Sequence, residues 1–322
     1  MKNNKSIVNS YSCNTYFDKI CYVDSIYALY LYIYINKGIS DTLFIFTEGS
    51  SLASLSLTFK NYILVNRNFS VTAYQRMKFN IGFSNCYIDE IINILESYTK
   101  DIKCFVHDHL PISFLFDKYG VELLEDGLSN YQIYKKRDNI KYKIKRFIKK
   151  TIGVHRETHG NGEYVKNIYL TNVSEVPSEL KSNIVNIEAS DFYTYSRRST
   201  LSLFGVKGIN AKAPYLIITQ PLSEDGILSE KSKIEVYKKI VSDYSPCIIK
   251  PHPRELTDYS TVFSSSNITV IKNEIPIECM LDESSHIDTI VTIYSTAALN
   301  LTKINSEIEC VFFGEEYLEQ YK

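Results

Sequence analysis

The chain has 322 residues, which is enough for about two domains of ordinary size. Its 36 basic and 37 acidic residues nearly cancel, so a globally basic nucleic-acid binder is excluded, although a local basic patch is not. Hydrophobic residues make up 44% of the chain and charged residues 23%, which excludes a disordered chain, a collagen-like chain and a coiled coil.

The cysteines and the apolar runs indicate a compartment. The chain has seven cysteines, and because none of them forms a C-x-x-C pair, we predict no zinc ribbon and no redox motif. Several, such as Cys104, lie in apolar strand-like runs, and we interpret them as buried free thiols in a reducing cytoplasm. No secretory signal is visible, and the run Ile26–Ile35 is shorter than the about 20 residues of a spanning helix. We therefore expect a buried helix there and a cytoplasmic protein.

Strand-like and helix-like stretches alternate along the first 135 residues. A short apolar start at Ser6–Asn9 precedes a predicted helix at Phe17–Ile35. The later predicted elements are strands at Thr42–Thr47, Tyr62–Val65, Ile102–Val106 and Val121–Leu124, and a helix at Tyr87–Tyr98. This alternation predicts a mainly parallel sheet with helices on both faces.

The alternation returns from Pro214 onward. Strands are predicted at Tyr215–Thr219, Cys247–Lys250, Ile268–Ile271, Thr289–Tyr294 and Glu309–Phe313, and helices at Ser229–Val241 and from Ile277 and Ser295. We assign residues 1–205 to an N-terminal domain and 206–322 to a C-terminal domain, both α/β. Residues 156–205 are mixed and polar and give no clear order of elements.

Residues 135–150 interrupt the pattern with nine Lys or Arg against one Asp. Apolar residues recur there at helical spacing, which predicts a basic amphipathic helix. Such a helix is either solvated and packed on its domain or in contact with anionic lipid headgroups. Nucleic acid is a weaker alternative, because no aromatic stacking platform accompanies the charge.

Two acidic pairs follow predicted strands, where ligands bind in open α/β sheets. Glu125 and Asp126 precede Gly127 after one strand, and Glu224 and Asp225 lie in the loop after another. Turn formation or capping explains each pair equally simply. The functional alternative is a carboxylate that acts as a general base.

A histidine between two prolines follows the strand Cys247–Lys250. Pro251 and Pro253 fix the backbone around His252, and Lys250 and Arg254 add positive charge. An imidazole exchanges a proton near neutral pH, which suits a leaving phosphate. Packing is the alternative role of His252.

Two further sites for a nucleotide are indicated near the C-terminus. Ser295 and Thr296 open a predicted helix, where they either cap it or bind a phosphate at its N-terminus. Glu278 follows the strand Ile268–Ile271 and is either a first-turn carboxylate or an acceptor for ribose hydroxyls.

His107, Asp108 and His109 have the residue types of a metal site. No third ligand at a sensible spacing is identifiable in the sequence, so we expect no metal and assign these residues a structural or acceptor-side role. The sequence also has no P-loop, Rossmann glycine fingerprint, G-x-S-x-G or HExxH motif.

In this order and spacing, the segments are similar to those of bacterial sialyltransferases of glycosyltransferase family 52, which make sialylated lipooligosaccharide or capsule. The segments that carry the resemblance are the acidic motif Glu125-Asp126-Gly127, the loop Gln220–Gly226, the His-Pro motif Lys250–Arg254 and the pair Ser295-Thr296.

The resemblance implies a GT-B fold, with two Rossmann-like domains and the active site in the cleft between them. Residues 1–205 would be the acceptor side and 206–322 would bind the donor, CMP-sialic acid. Transfer would be inverting and metal-independent, without a cofactor, to a terminal galactose of a surface glycan, with an α-2,3 linkage favoured over α-2,6.

The resemblance also implies residue roles. His252 would stabilise or protonate the leaving CMP phosphate, and Glu278 would bind the ribose. The base would be Asp126 or Asp225, the latter matching the family 52 assignment. The donor-binding residues would further include Gln220, Lys250, Pro253, Arg254, Ser295 and Thr296.

The expected partners, besides donor and acceptor, are an anionic membrane at the inner face of the plasma membrane, contacted through residues 135–150, and a second copy of the chain; nucleic acid is not expected. Two rival interpretations stay open at this point. One is another GT-B transferase, of the polysialyl, CMP-Kdo or UDP-sugar type. The other is a non-catalytic nucleotide- or glycan-binding protein of capsule assembly.

Overall fold

A computed structural model describes residues 8–12, 16–66, 86–98, 102–126, 130–131, 156–176, 183–204, 213–271, 277, 286–304 and 307–322. The chain divides into two compact units, Met1–Glu188 and Ala189–Lys322. Each unit contains a mainly or wholly parallel sheet with helices, so the predicted α/β fold of the GT-B class is confirmed. The placement of the active site between the two domains stays a prediction.

The described residues of the first unit form an eight-stranded sheet in the order β1-β4-β3-β2-β5-β6-β7-β8. Its strands are β1 (Val8–Ser12), β2 (Lys19–Tyr22), β3 (Thr42–Thr47), β4 (Tyr62–Val65), β5 (Lys103–Val106), β6 (Val121–Leu124), β7 (Val165–Leu170) and β8 (Asn183–Asn186). Strand β1 is antiparallel to β4 at the edge, and every other neighbouring pair is parallel. The carboxyl ends of β2, β5, β6 and β7 therefore lie side by side.

The predicted helix Phe17–Ile35 is wrong in its first part. Residues Lys19–Tyr22 form β2, a central strand, and helix α1 covers only Ile26–Asn36. The Ser25 side chain accepts a hydrogen bond from the Ala28 N–H (3.2 Å) and so begins the helix after the strand. Because strand and helix are both apolar and buried here, periodicity alone does not separate them.

Helix α1 is almost entirely buried, as predicted for Ile26–Ile35. Its Tyr32 illustrates how a tyrosine-rich helix fits a core. The Tyr32 hydroxyl shares a hydrogen bond with the Thr42 hydroxyl (2.6 Å), while the ring meets the edges of Phe44 and Phe105. None of the helices within the described ranges has the length and apolar character needed to cross a membrane.

The other described helical segments of the first unit are α2 (Cys86–Tyr98) and 3₁₀ segments at Ser51–Thr58, Ser113–Tyr119 and Val173–Glu175. Strands β7 and β8 fall in the polar region 156–205, in which no order of elements was predicted. In β7 only Ile168 and Leu170 are buried, so the strand lacks the continuous apolar run of its neighbours.

The described part of the second unit has a five-stranded parallel sheet in the order β11-β10-β9-β12-β13. Its strands are β9 (Tyr215–Ile218), β10 (Cys247–Lys250), β11 (Ile268–Val270), β12 (Thr289–Thr292) and β13 (Glu309–Phe312). The helices are α3 (Ala189–Phe204), α4 (Glu230–Asp243), α5 (Tyr259–Val262) and α6 (Thr296–Ile304), followed by a 3₁₀ segment at Glu315–Tyr321.

The boundary between the units differs from the one drawn from the sequence. The division falls before α3, whereas the predicted boundary at 205/206 falls just after it. Helix α3 packs against α6 of the second unit, which explains why it belongs there. The core of the second unit is formed by apolar side chains of the central strands and α4, including Ile217, Ile249, Val291, Val236 and Ile240.

Candidate active site

Three neighbouring strands of the second unit end at one edge of its sheet. Strand β9 pairs in parallel with β10 on one side and with β12 on the other. The segments that follow them, Thr219–Gly226, Pro251–Leu256 and the start of α6 at Thr296, therefore share that edge. The predicted donor-binding residues that the structure describes lie in or beside these three segments.

A buried lysine that the sequence analysis missed organises this edge. The Lys233 side chain, on α4, has no exposed surface, and its Nζ lies 3.0 Å from both carboxylate oxygens of Glu224. The same Nζ lies 2.9 Å from Glu230 Oε2 and 3.8 Å from Glu255 Oε1. A buried ammonium requires such anionic partners, so the lysine fixes the position of the loop that carries Glu224.

Glu224 is held as a carboxylate by this arrangement. Partial burial opposes its ionisation, but hydrogen bonds from the Leu256 N–H (2.7 Å) and from Lys233 lower its pKa to about 2. The carboxylate therefore joins the loop after β9 to the loop after β10. Its oxygens have structural partners, which makes Glu224 a poor candidate for the base.

Glu255 fixes the position of the loop that carries His252. Its side chain is fully buried and accepts hydrogen bonds from the His252 N–H (2.7 Å), from the Tyr259 hydroxyl (2.6 Å) and from the Thr219 hydroxyl. Burial raises the pKa of Glu255 above its usual range despite these donors. The carboxylate thus ties the His252 backbone to the end of β9 and to α5.

The His252 ring has a defined tautomer. Its Nδ1 accepts a hydrogen bond from the Arg254 N–H (3.2 Å), so in the neutral ring the hydrogen is on Nε2. Burial, together with the positive charges of Arg254 and Lys250, lowers the pKa of His252 to about 4. The imidazole is therefore neutral at pH 7 in the absence of a bound anion, and Nε2 can donate a hydrogen bond.

Asp225 is paired with Arg254. The guanidinium nitrogens Nη1 and Nη2 donate to the carboxylate oxygens Oδ1 and Oδ2 at 2.6 and 3.1 Å. Arg254 is mostly exposed and Asp225 partly so, hence the pair is open to solvent and to a ligand. Lys250 is buried at the end of β10, and its Nζ donates to the Pro251 carbonyl (3.2 Å).

The remaining predicted residues of this unit have different surroundings. Gln220 is buried, and its N–H donates to the Tyr237 hydroxyl (2.6 Å), whereas Pro253 is exposed. Ser295 is half-buried and directly precedes α6, which Thr296 opens, as predicted. Glu278 lies outside the described residues.

In the first unit, the two carboxylates of the acidic motif have different environments. Glu125 is buried and accepts from the Thr171 N–H (2.7 Å) and hydroxyl (2.8 Å), and burial raises its pKa. The Asp126 side chain is 30% exposed, so it is the one that solvent reaches. The Asp126 N–H donates to Asn130 Oδ1 (2.5 Å), while Gly127 and residues 135–150 lie outside the described ranges.

Two histidines after β5 lie beside carboxylates from the ends of β2 and β6. His107 Nδ1 is 2.5 Å from Asp24 Oδ1, and His109 lies between Asp24 (Nε2 to Oδ2, 3.4 Å) and Asp126 (Nδ1 to Oδ2, 3.5 Å). Burial opposes protonation of His109, but the neighbouring carboxylates, above all Asp24, raise its pKa. The sequence analysis missed Asp24 because it assigned the preceding strand to a helix.

Fold and site together define a two-unit α/β protein of the GT-B class, with an imidazole and cationic side chains at the strand ends of its second unit. A profile of glycosyltransferase family 52 matches residues 40–313. The chain belongs to this family of bacterial sialyltransferases and is a glycosyltransferase, which confirms the family predicted from the motifs.

The chain is also similar to an uncharacterised protein of Haemophilus influenzae strain Rd. The two are 36% identical over 230 residues, covering 65% of this chain and 72% of the relative. One similar solved structure is UDP-GlcNAc 2-epimerase of Methanocaldococcus jannaschii in complex with UDP-GlcNAc and UDP. The alignment covers 94% of this chain and 91% of the epimerase chain, at 15% identity and a TM-score of 0.47. Another is MnaA of S. aureus with UDP, for which the alignment covers 87% of this chain and 75% of the MnaA chain, at 12% identity and a TM-score of 0.43.

The electrostatics around His252 predict how its titration responds to single charges. Arg254→Gln removes a positive neighbour and should raise the pKa of His252 from about 4. Asp225→Asn removes a negative neighbour and should lower it. NMR titration of the ring protons measures both shifts, and shifts of the same sign in the two variants would contradict the described arrangement.

Proposed function

We propose that the protein transfers sialic acid from CMP-sialic acid to a terminal galactose of a bacterial surface glycan, with inversion and an α-2,3 linkage. Membership of family 52 supports the sialyl donor and the surface glycan. The observation that carries the proposed chemistry is the His252 loop, which combines an Nε2 donor with the cations Lys250 and Arg254 at one strand end.

The leaving group in this reaction is the phosphate of CMP. The bond between the anomeric carbon and the phosphate oxygen breaks through an oxocarbenium-like state, and negative charge collects on the phosphate. His252 Nε2–H would donate to that oxygen, and the charge of Lys250 and Arg254 would stabilise it. The start of α6, beside Ser295, would offer backbone N–H groups and a positive dipole end to the same phosphate.

The neutral state of His252 fits this role once a donor is bound. The nearby cations that depress its pKa are the groups that a phosphate would neutralise. Binding of the anionic donor would therefore raise the pKa of His252 and allow it to hold a proton beside the leaving oxygen. No metal is needed for this stabilisation, and we propose that the transfer step is metal-independent and requires no cofactor.

The acceptor hydroxyl needs a base on the face of the sugar opposite to the phosphate. We assign this role to Asp225, in agreement with the assignment implied for family 52. With Arg254 bound to both of its oxygens, Asp225 is a weak base. A donor phosphate would compete for the Arg254 guanidinium and release Asp225, so that the base becomes active only when the donor is present.

Asp126 is the alternative base, and Glu278 stays the proposed ribose-binding residue. Gln220 and Pro253 border the proposed donor site, though the Gln220 N–H is already bound to Tyr237. We further propose that residues 135–150, which lie outside the described ranges, contact an anionic membrane at the inner face of the plasma membrane, and that the chain forms a homodimer.

Removing the imidazole tests the leaving-group role. His252→Ala should lower kcat for transfer by about 10²–10⁴-fold, the usual contribution of one positioned proton donor. CMP binding should persist, because Lys250 and Arg254 remain. The matched control is His286→Ala, which removes an exposed histidine of the same unit and should leave kcat unchanged. Near-normal kcat in a folded His252→Ala protein would refute the assignment.

Paired amide variants test the base. Asp225→Asn should abolish transfer while CMP binding is retained, because the amide cannot accept the acceptor proton. Asp126→Asn should reduce transfer only modestly. Single-turnover assays with CMP-sialic acid and a β-galactoside, alongside CMP titration calorimetry, separate binding from chemistry. The opposite ranking would assign the base to Asp126, and full activity in both variants would contradict both assignments.

A further inference from the structure

The first unit contains a group of imidazole and carboxylate side chains that the proposed transfer reaction does not use. We name Asp24, His107 and His109 the His109 cluster. Their potential ligand atoms lie within 4.8 Å of one another. They come from the carboxyl ends of the adjacent parallel strands β2 and β5, so the sheet brings together residues that are about 80 positions apart in the sequence.

We propose that the His109 cluster binds a divalent transition metal ion of the Zn²⁺ type. Two nitrogens and a carboxylate oxygen are the ligands that Zn²⁺ takes in three-ligand sites, where a fourth position stays open. No third ligand is identifiable in the sequence, so no metal was predicted here, and the structure supplies Asp24. This inference goes beyond the proposed transfer reaction and does not rest on it.

The distance between Asp24 Oδ2 and His109 Nε2 supports the proposal. It is 3.4 Å, which is long for a hydrogen bond to an imidazole. Two ligands at about 2.0–2.1 Å from a tetrahedral Zn²⁺ are separated by nearly that distance. Both side chains are partly exposed, so a metal ion can reach them from solvent.

Asp126 lies beside the ring nitrogen of His109 that would not bind the metal. Metal-ligating histidines usually donate their other ring N–H to a carboxylate, which fixes the ring and raises its basicity. With Nε2 of His109 on the metal, its Nδ1 faces Asp126 Oδ2 at 3.5 Å. The ring of His109 is also stacked between those of His107 and His159, with centroids 5.7 and 5.5 Å away.

A competing set of ligands shares His109. Asp108, His109 and His159 also offer atoms within 4.8 Å of one another. The Asp108 oxygens, however, accept from the His159 and Gly160 N–H groups (2.8 and 3.1 Å) and from the Tyr164 hydroxyl (3.2 Å). Asp108 is buried and holds the turn before β7, so we assign the metal to the Asp24 side of His109.

Binding must release a proton. His107 Nδ1 and Asp24 Oδ1 are joined at 2.5 Å, a separation that a shared proton allows and two metal ligands do not. The ion would replace that proton and move the two atoms apart, and it would also require His109 to be deprotonated.

Metal titration of the tag-free protein tests the proposal directly. Metal-free wild-type protein should bind one Co²⁺ with visible d–d absorption, and Zn²⁺ should displace it. His109→Ala and Asp24→Asn should each abolish this absorption while circular dichroism shows that the fold is retained. Asp126→Asn should weaken binding by about 10–100-fold, as is usual when a carboxylate that accepts from a metal-ligating histidine is removed.

The controls distinguish this site from others. His286→Ala should bind the metal normally. His159→Asn should also bind it normally, because asparagine tolerates the positive φ of position 159. Loss of binding in His159→Asn but not in Asp24→Asn would overturn the assignment in favour of the competing set. Absence of Co²⁺ and Zn²⁺ binding near neutral pH, or a near-ultraviolet thiolate band showing that cysteines hold the metal, would refute the proposal. Because no sugar substrate is used, these outcomes are independent of whether the protein transfers sialic acid.

Discussion

The candidate active site depends on one buried cation. Lys233 is withdrawn from solvent on α4, and its ammonium is compensated by Glu224, Glu230 and Glu255. Removing one partner of a buried ion pair typically costs about 3–5 kcal/mol, because the other charge is left uncompensated. Two of these glutamates hold the loops after β9 and β10, so the charge requirement of the lysine constrains the positions of the residues that we propose to bind the donor.

Because of this constraint, residues within one motif have different roles. Glu224 and Glu255 are occupied with structural hydrogen bonds, while their neighbours Asp225 and His252 face outward. The acidic motif of the first unit repeats the pattern, since Glu125 is buried against Thr171 and the adjacent Asp126 is partly exposed. In each case one carboxylate fixes the backbone through its hydrogen bonds, and another polar residue of the same segment is the one that we propose to meet a substrate. Pairing of Asp225 with Arg254 adds a means by which donor binding could prepare the base.

Much of the fold was predictable from the sequence because most strands are short apolar runs that end in polar loops. The strands Thr42–Thr47 and Cys247–Lys250 were predicted with the bounds that the structure has. The central strand β2 was mistaken for helix, because Lys19–Tyr22 and α1 are both buried and apolar, and α1 begins only after the Ser25 cap. The alternating strand β7 and the helix α3 were missed, since their apolar residues are diluted by polar ones.

For the site, the sequence predicted polar side chains that directly follow strands, but not the residues that hold those side chains in place. Lys233 resembles any surface lysine of an amphipathic helix, and its burial arises only from the loops that fold over it. Asp24 is more than 80 residues away from His107 and His109, and only the parallel pairing of β2 with β5 joins them. Long-range juxtapositions of this kind depend on strand order, which a single sequence does not specify.

The measurement that tests the central claim most directly is the release of CMP from CMP-sialic acid in EDTA, with and without lactose as a β-galactoside acceptor. The account predicts CMP release that depends on lactose and is accompanied by a sialylated product with an inverted anomeric centre. Absence of any interaction between the protein and CMP would contradict the account, and so would transfer that requires a divalent metal ion.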